Sequence, residues 1–267
     1  MKTITTALSA ATFALSLTST QVSADMQTET VEYTVNGDTF TGYLAWDDDV
    51  EGQRPGVLVV HEWWGHNEFA RDQAEKLAQA GYTAFALDMY GSGKVADHPD
   101  DAKQFMQEAT SDIDNIKSRF MAAMELLQAH DSVDGDRIAA QGYCFGGAVV
   151  LNMARMGVDL DGVVSYHGAL GSPIKAEAGK VNARVQVYTG GADQMVPSDQ
   201  VAGLVREMQD AEVDLTLVSF PGVMHSFTNP EADRIGKEFG MPVGYDKAAA
   251  KRSWDGTLRF YNDIFAE

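Results

Sequence analysis

The chain has 267 residues, 45% of them hydrophobic, which suffices for one α/β domain with a substantial core. Its formal charge is −19, from 20 basic and 39 acidic side chains. Such a surface repels nucleic-acid phosphates and anionic lipid headgroups, so neither nucleic acid nor a membrane surface is an expected partner.

The N-terminus carries the three parts of an export signal in order. Lys2 supplies the positive start, Ala7 to Leu17 an apolar run too short to span a bilayer, and Val22-Ser23-Ala24 small residues before Asp25. The expectation is a signal peptide over residues 1–24, export to the periplasm, and a single α/β domain over 25–267. No later segment is long and apolar enough for a membrane helix, so no membrane contact is expected after signal removal. The sequence leaves open a monomer or a small homo-oligomer. Cys144 is the only cysteine, so it forms no internal disulfide. It is either a buried small apolar side chain or a working thiol.

Thr28 to Val35 alternates like a strand, Asn36-Gly37 is a hairpin turn signal, and Phe40 to Trp46 reads as the returning strand. Gly56 to Val60 is wholly apolar, as a strand buried on both faces of a parallel sheet would be. Strands and helices then alternate. Helices are expected over 67–80, 145–156, 198–210 and 247–264, with a long helical pattern over 101–129 that breaks near Thr110-Ser111. Further strands are expected over 83–87, 137–141, 162–166, 184–189 and 214–220. This order implies a mostly parallel sheet with helices on both faces.

The strongest chemical signal is Gly142-Tyr143-Cys144-Phe145-Gly146-Gly147, between an expected strand and an expected helix. It has the form of the nucleophile elbow of α/β-hydrolases, with cysteine in the nucleophile position. The turn is tight, so side chains at 142 and 146 would collide with neighbouring backbone. It places the Phe145 amide at a helix N-terminus, where it can donate to an oxyanion and where the helix dipole favours a thiolate. Two later strands run into loops bearing Asp193 and His225. Nucleophile, acid and base in that order is the α/β-hydrolase order, with His225 as base and Asp193 fixing its tautomer. Taken singly, Asp193 could be a turn residue and His225 a surface histidine. A third loop, His61-Glu62-Trp63-Trp64-Gly65-His66, follows the first parallel strand. The Trp63 amide is a candidate second oxyanion donor, Glu62 a candidate contact of the thiol, and the indoles an apolar wall. His167, just past a strand end, is a candidate pocket residue, and His98 and His130 are expected at the surface. His61, Glu62 and His66 resemble a zinc motif, but the metalloprotease spacing puts the second histidine at position 65, which is glycine, so no metal is expected.

These residues resemble the dienelactone hydrolase family. The matching pieces are His61 to Gly65, Leu87-Asp88-Met89-Tyr90, Gly142 to Gly147, Gly190 to Pro197, Gly222 to Phe227, and the stretch from Thr228-Asn229-Pro230 to Trp254. The resemblance implies a Cys144–Asp193–His225 triad and an oxyanion hole from the amides of Trp63 and Phe145. It also implies that Glu62 holds and then releases the thiol. Trp64, Tyr90, His167, Phe227 and Asn229 would line the substrate pocket, and an acyl group would transfer to sulfur before hydrolysis by water, with no cofactor. In two places the chain departs from the pattern. Enzymes that open dienelactone grip its carboxylate with two arginines, where this chain has Gly91-Ser92-Gly93-Lys94 and Asn229. Neither lysine nor asparagine offers the bidentate fork of arginine, so a small neutral ester or lactone is the expected substrate rather than dienelactone. Two alternatives stand beside this reading. One is a non-catalytic exported binding protein on a hydrolase scaffold. The other is a metal-dependent hydrolase using His61, Glu62 and His66.

Overall fold

The computed structural model describes residues 26–266, so the expected signal segment lies outside the described residues. Eight strands form one sheet in the order β1-β2-β4-β3-β5-β6-β7-β8. β1 (Met26–Val35) and β2 (Asp38–Asp47) are an antiparallel hairpin, and β2 pairs antiparallel with β4 (Thr83–Leu87). The turn between them uses Asn36 and Gly37 at φ 53° and 92°, the left-handed pair that a two-residue hairpin loop of matching twist requires. From β4 onward every pairing is parallel: β4 with β3 (Arg54–Val60), then β5 (Val133–Tyr143), β6 (Gly162–Tyr166), β7 (Arg184–Gly190) and β8 (Leu215–Phe220). This is the α/β-hydrolase architecture expected from the sequence.

Burial of the parallel strands on both faces explains their unbroken apolar runs. On β3, Leu58 and Val60 enter one core with α3 (Ile113–Gln128), α4 (Phe145–Arg155) and α5 (Ser198–Asp210). Val57 and Val59 enter the other core with α1 (Glu68–Gln79) and α7 (Lys247–Ile264). The helix starts are capped as their sequences suggest. Asn67 accepts the amide of Ala70 ahead of α1, and Asp246 that of Ala249 ahead of α7. The long pattern over 101–129 divides in two. α2 (Pro99–Thr110) ends at Ser111, and Asp112 caps α3 by accepting the Asp114 amide. One helix had no counterpart in the sequence reading: α6 (Ala232–Phe239), eight residues of which Ala232 alone is buried.

The parallel strands all end at one edge of the sheet. That edge carries the loops with His61 to His66, Cys144, His167, Asp193 and His225.

Candidate active site

Cys144 sits between β5 and α4 at φ 52°, ψ −111°, a conformation that L residues adopt at a cost of about 1–3 kcal/mol. The flanking glycines make it possible. A Cβ on Gly142 would fall on the carbonyl oxygen of Gly146, and one on Gly147 would lie 2.7 Å from Ser165 Oγ. The turn leaves Cys144 as N-cap of α4 with its side chain making no capping hydrogen bond, so the sulfur is available above the helix N-terminus.

Asp193 and His225 meet across two loops. Gly190 allows the approach, because its Cβ would strike the backbone of the His225 loop, 2.8 Å from Met224 O. His225 Nδ1 donates to Asp193 Oδ2 at 2.7 Å. The other carboxylate oxygen accepts the amides of Met195 (2.8 Å) and Val196 (3.1 Å), so Asp193 cannot rotate without losing them. His225 Nε2 is buried and has no oxygen or nitrogen partner among the described residues. Burial alone would lower the imidazole pKa. The neighbouring Cys144 sulfur and the Asp193 carboxylate outweigh it and raise it to about 10.

The loop after β3 turns at Gly65, whose amide donates to Glu62 O at 3.2 Å. Its shape is set from beneath. The Tyr90 hydroxyl donates to Trp63 O at 3.1 Å. His61 Nε2 accepts the Met89 amide at 3.1 Å, which places the ring proton on Nδ1, donating to Glu62 O at 2.5 Å. Both His61 nitrogens therefore face backbone rather than a shared metal position with His66. Glu62 is buried, and its carboxylate accepts Ser226 Oγ at 3.1 Å and Asn229 Nδ2 at 2.6 Å. Burial pushes its pKa up, against those donors and the charge of His225. The hydrogen bonds of Glu62 thus reach the His225 loop rather than the thiol.

The five expected pocket residues separate into two groups. Trp64 and Asn229 border open space. Tyr90, His167 and Phe227 do not: Tyr90 props the Trp63 loop, Phe227 fills the core beside Phe220, and His167 is fully buried with both ring nitrogens bonded. Of the two histidines expected at the surface, His98 is exposed, while His130 is half-buried and packs on Trp46.

Residues outside the sequence reading close the site. Ala232, Ile235, Met241 and Val243 cover Cys144 and His225 together with Met195, Ser226, Trp63 and Trp64. They leave about 10 Å³, no more than one water molecule needs. Trp64 and Ile235 also wall a neighbouring cleft of about 680 Å³. Cys144 itself remains partly exposed, and Ile235 is the α6 side chain that borders both spaces. Ile235→Ala is therefore expected to raise kcat/KM severalfold for bulky acyl esters and little for acetyl esters, measured over a chain-length series.

The family model for the dienelactone hydrolase family matches residues 40–265. The chain belongs to the dienelactone hydrolase family. Among solved structures it is similar to P91, a dienelactone hydrolase-like promiscuous phosphotriesterase from metagenomic libraries, with 32% identity and a TM-score of 0.83 over 90% of this chain and 98% of that one. It is 28% identical over 238 residues to Protein usf of Aquifex pyrophilus, covering 87% of this chain and 97% of that protein. It is 27% identical over 247 residues to a Bradyrhizobium protein named "Probable 2-oxo-3-(5-oxofuran-2-ylidene)propanoate lactonase", covering 87% and 95%. As a dienelactone hydrolase family member the protein is a hydrolase, and its site is built to keep several imidazoles uncharged.

That has a consequence for stability. Burial lowers the pKa of His61 and His167, and lowers that of His66 to about 3, helped by the positive charge of Arg71. Between pH 6.5 and pH 3 the unfolded chain binds a proton at His66 that the folded chain refuses, and His61 and His167 act in the same direction. The stability is complete above pH 6.5 and is lost as pH falls. Each such histidine contributes a slope of up to about 1.4 kcal/mol per pH unit. His66→Gln should flatten the acid side of the stability–pH curve by about one proton, read from urea melts between pH 4 and 7.

Proposed function

We propose that this protein hydrolyses small carboxylic esters or lactones through a thioester on Cys144, with His225 as base and Asp193 as its orienting acid. The observation that carries the reading is the Asp193–His225 pair. The carboxylate fixes Nδ1, and the unpartnered Nε2 is left for the thiol proton.

In the first half-reaction the sulfur attacks the acyl carbon while His225 Nε2 holds the thiol proton. Charge gathers on the carbonyl oxygen, and the amides of Trp63 and Phe145 stabilise it. The tetrahedral centre collapses to a thioester. The alcohol oxygen departs with the proton from Nε2. In the second half, water gives a proton to Nε2 as it attacks the thioester carbon. The acid leaves, and sulfur and imidazole again share one proton.

A neutral substrate is favoured over dienelactone. Among the described residues, no lysine or arginine lines the space at Cys144. Lys94 turns to the surface and pairs with Glu108 at 2.9 Å. In the adjoining cleft Glu68, Asp72, Asp97, Glu231 and Glu238 outnumber Arg234, which is itself bound by Glu231 and Glu238. Asn229 donates to Glu62 instead of offering a fork to an anion.

The experiment is an acid quench of enzyme mixed with a short neutral aryl ester, followed by peptide mass analysis. One acyl group per chain on Cys144 is expected, and none in Cys144→Ala. Turnover without any acyl-cysteine would remove the thioester, and faster turnover of dienelactone than of neutral esters would remove the substrate class. Export is proposed alongside. The mass of protein recovered from the periplasm should correspond to a start at Asp25, and a protein retaining residues 1–24 in the cytoplasm would refute it.

A further inference from the structure

Three non-glycine residues around the site have positive φ: Cys144 (52°), His167 (42°) and Ser226 (56°). Such residues persist only where surrounding contacts over-determine them. For Cys144 the contact that does this is visible. Its amide donates to Tyr166 O at 3.0 Å and to His167 Nδ1 at 3.1 Å. The first acceptor is backbone, present whatever the side chains. The second is an imidazole that reaches the elbow because its own residue is left-handed, with its amide anchored to Tyr188 O at 2.8 Å.

The tautomer follows from the partners. An amide can only donate, so His167 Nδ1 carries no proton. The ring proton is on Nε2, which lies 2.8 Å from Thr228 Oγ1 and donates to it. Thr228 lies three residues beyond His225. The ring also meets the His225 ring edge-on, with centroids 5.1 Å apart, and rests against Phe227 at the same separation. Beside it, Gly168 packs on the backbone of the elbow helix, where an added Cβ would come within 2.8 Å of the Gly147 Cα.

We propose that His167 is a positioning residue: its imidazole, carrying its proton on Nε2, holds the Cys144 backbone in the left-handed turn and ties it to the loop that presents His225. The nucleophile and its base come from loops after β5 and β8, which are not neighbours in the sheet. One side chain from β6 spans them. It touches neither substrate nor the transferred proton, and acts only through the distance and angle between sulfur and Nε2. This rests on the reading of Cys144 as nucleophile.

Three substitutions separate positioning from packing. His167→Asn keeps an acceptor at the place of Nδ1. His167→Gln keeps a donor near the place of Nε2. His167→Leu keeps neither. The readout is the single-turnover rate of Cys144 acylation, beside KM and the melting temperature. Losing one buried hydrogen bond to the turn corresponds to roughly a tenfold loss or more. His167→Leu and His167→Gln should acylate at least tenfold more slowly with KM little changed. His167→Asn should recover to within about threefold of wild type. Thr228→Val should slow acylation, and adding it to His167→Leu should cost nothing further. If His167→Asn is as slow as His167→Leu, or if acylation follows melting temperature across the set, the role is packing and the proposal is overturned. If the wild type forms no acyl-cysteine, the failure lies with the nucleophile, and the quench reads that separately.

Discussion

Asp193→Asn is expected to lower kcat for neutral esters by about 1,000- to 10,000-fold while KM changes little. The size follows from how the carboxylate is used. One oxygen accepts two backbone amides, from Met195 and Val196, and the other accepts Nδ1–H of His225. An asparagine has one acceptor oxygen. The two amides claim it, because they can only donate. The NH2 group is then turned to His225, where only an unprotonated Nδ1 can receive it. The imidazole proton moves to Nε2, the atom that must take the proton of Cys144. The ring stays in place, but in the tautomer that cannot act as a base. The side chains are nearly isosteric, so the melting temperature should change far less than the rate. A kcat within tenfold of wild type would mean that His225 does not rely on Asp193, and would leave the triad without its orienting member.

The positions of Cys144, Asp193 and His225 were legible because each lies just after a parallel strand, and strand ends need only the apolar pattern to be placed. Cys144 had the added mark of its glycines, whose steric function depends on backbone alone. Side-chain direction was not legible. His167 also follows a strand, and position alone put it in the pocket. Its φ of 42° turns the ring back beneath the elbow, and nothing in the residue type announces that angle. Tyr90 and Phe227 failed similarly: a residue can belong to the active edge and point into the core. Glu62 was placed near the thiol because its loop lies at the active edge and by the family resemblance, whereas Ser226 and Asn229, more than 160 residues away, decide where its carboxylate lies. α6 escaped notice because it is short, interrupted by Gly236, and rich in Asp233, Arg234, Lys237 and Glu238. With one buried residue it has no apolar stripe long enough to count. The part of the pocket wall that α6 supplies, Ala232 and Ile235, was therefore not legible, although Cys144 and His225 beside it were.

Gly146→Ala is expected to destabilise the protein by about 3 kcal/mol and to abolish most activity. A Cβ there would fall on the carbonyl oxygen of Val60 and lie 2.7 Å from that of His61. Both are backbone atoms at the end of β3, so no side-chain rotation relieves the clash. The strand end is also tied to the elbow, since the Gly146 amide donates to His61 O at 3.1 Å. Relief requires α4 and the β3 terminus to part. That moves the Trp63 amide away from the Phe145 amide, the two donors on which the oxyanion reading depends. Stability and rate should thus fall together, with the melting temperature lower by at least about 5 °C. Gly203 is the control. It lies inside α5 with nothing within 4 Å of an added Cβ, and Gly203→Ala should gain about 0.5–1 kcal/mol with activity unchanged. If Gly146→Ala melts and turns over like wild type while Gly203→Ala behaves as expected, β3 and α4 are not in the tight contact on which the elbow geometry depends.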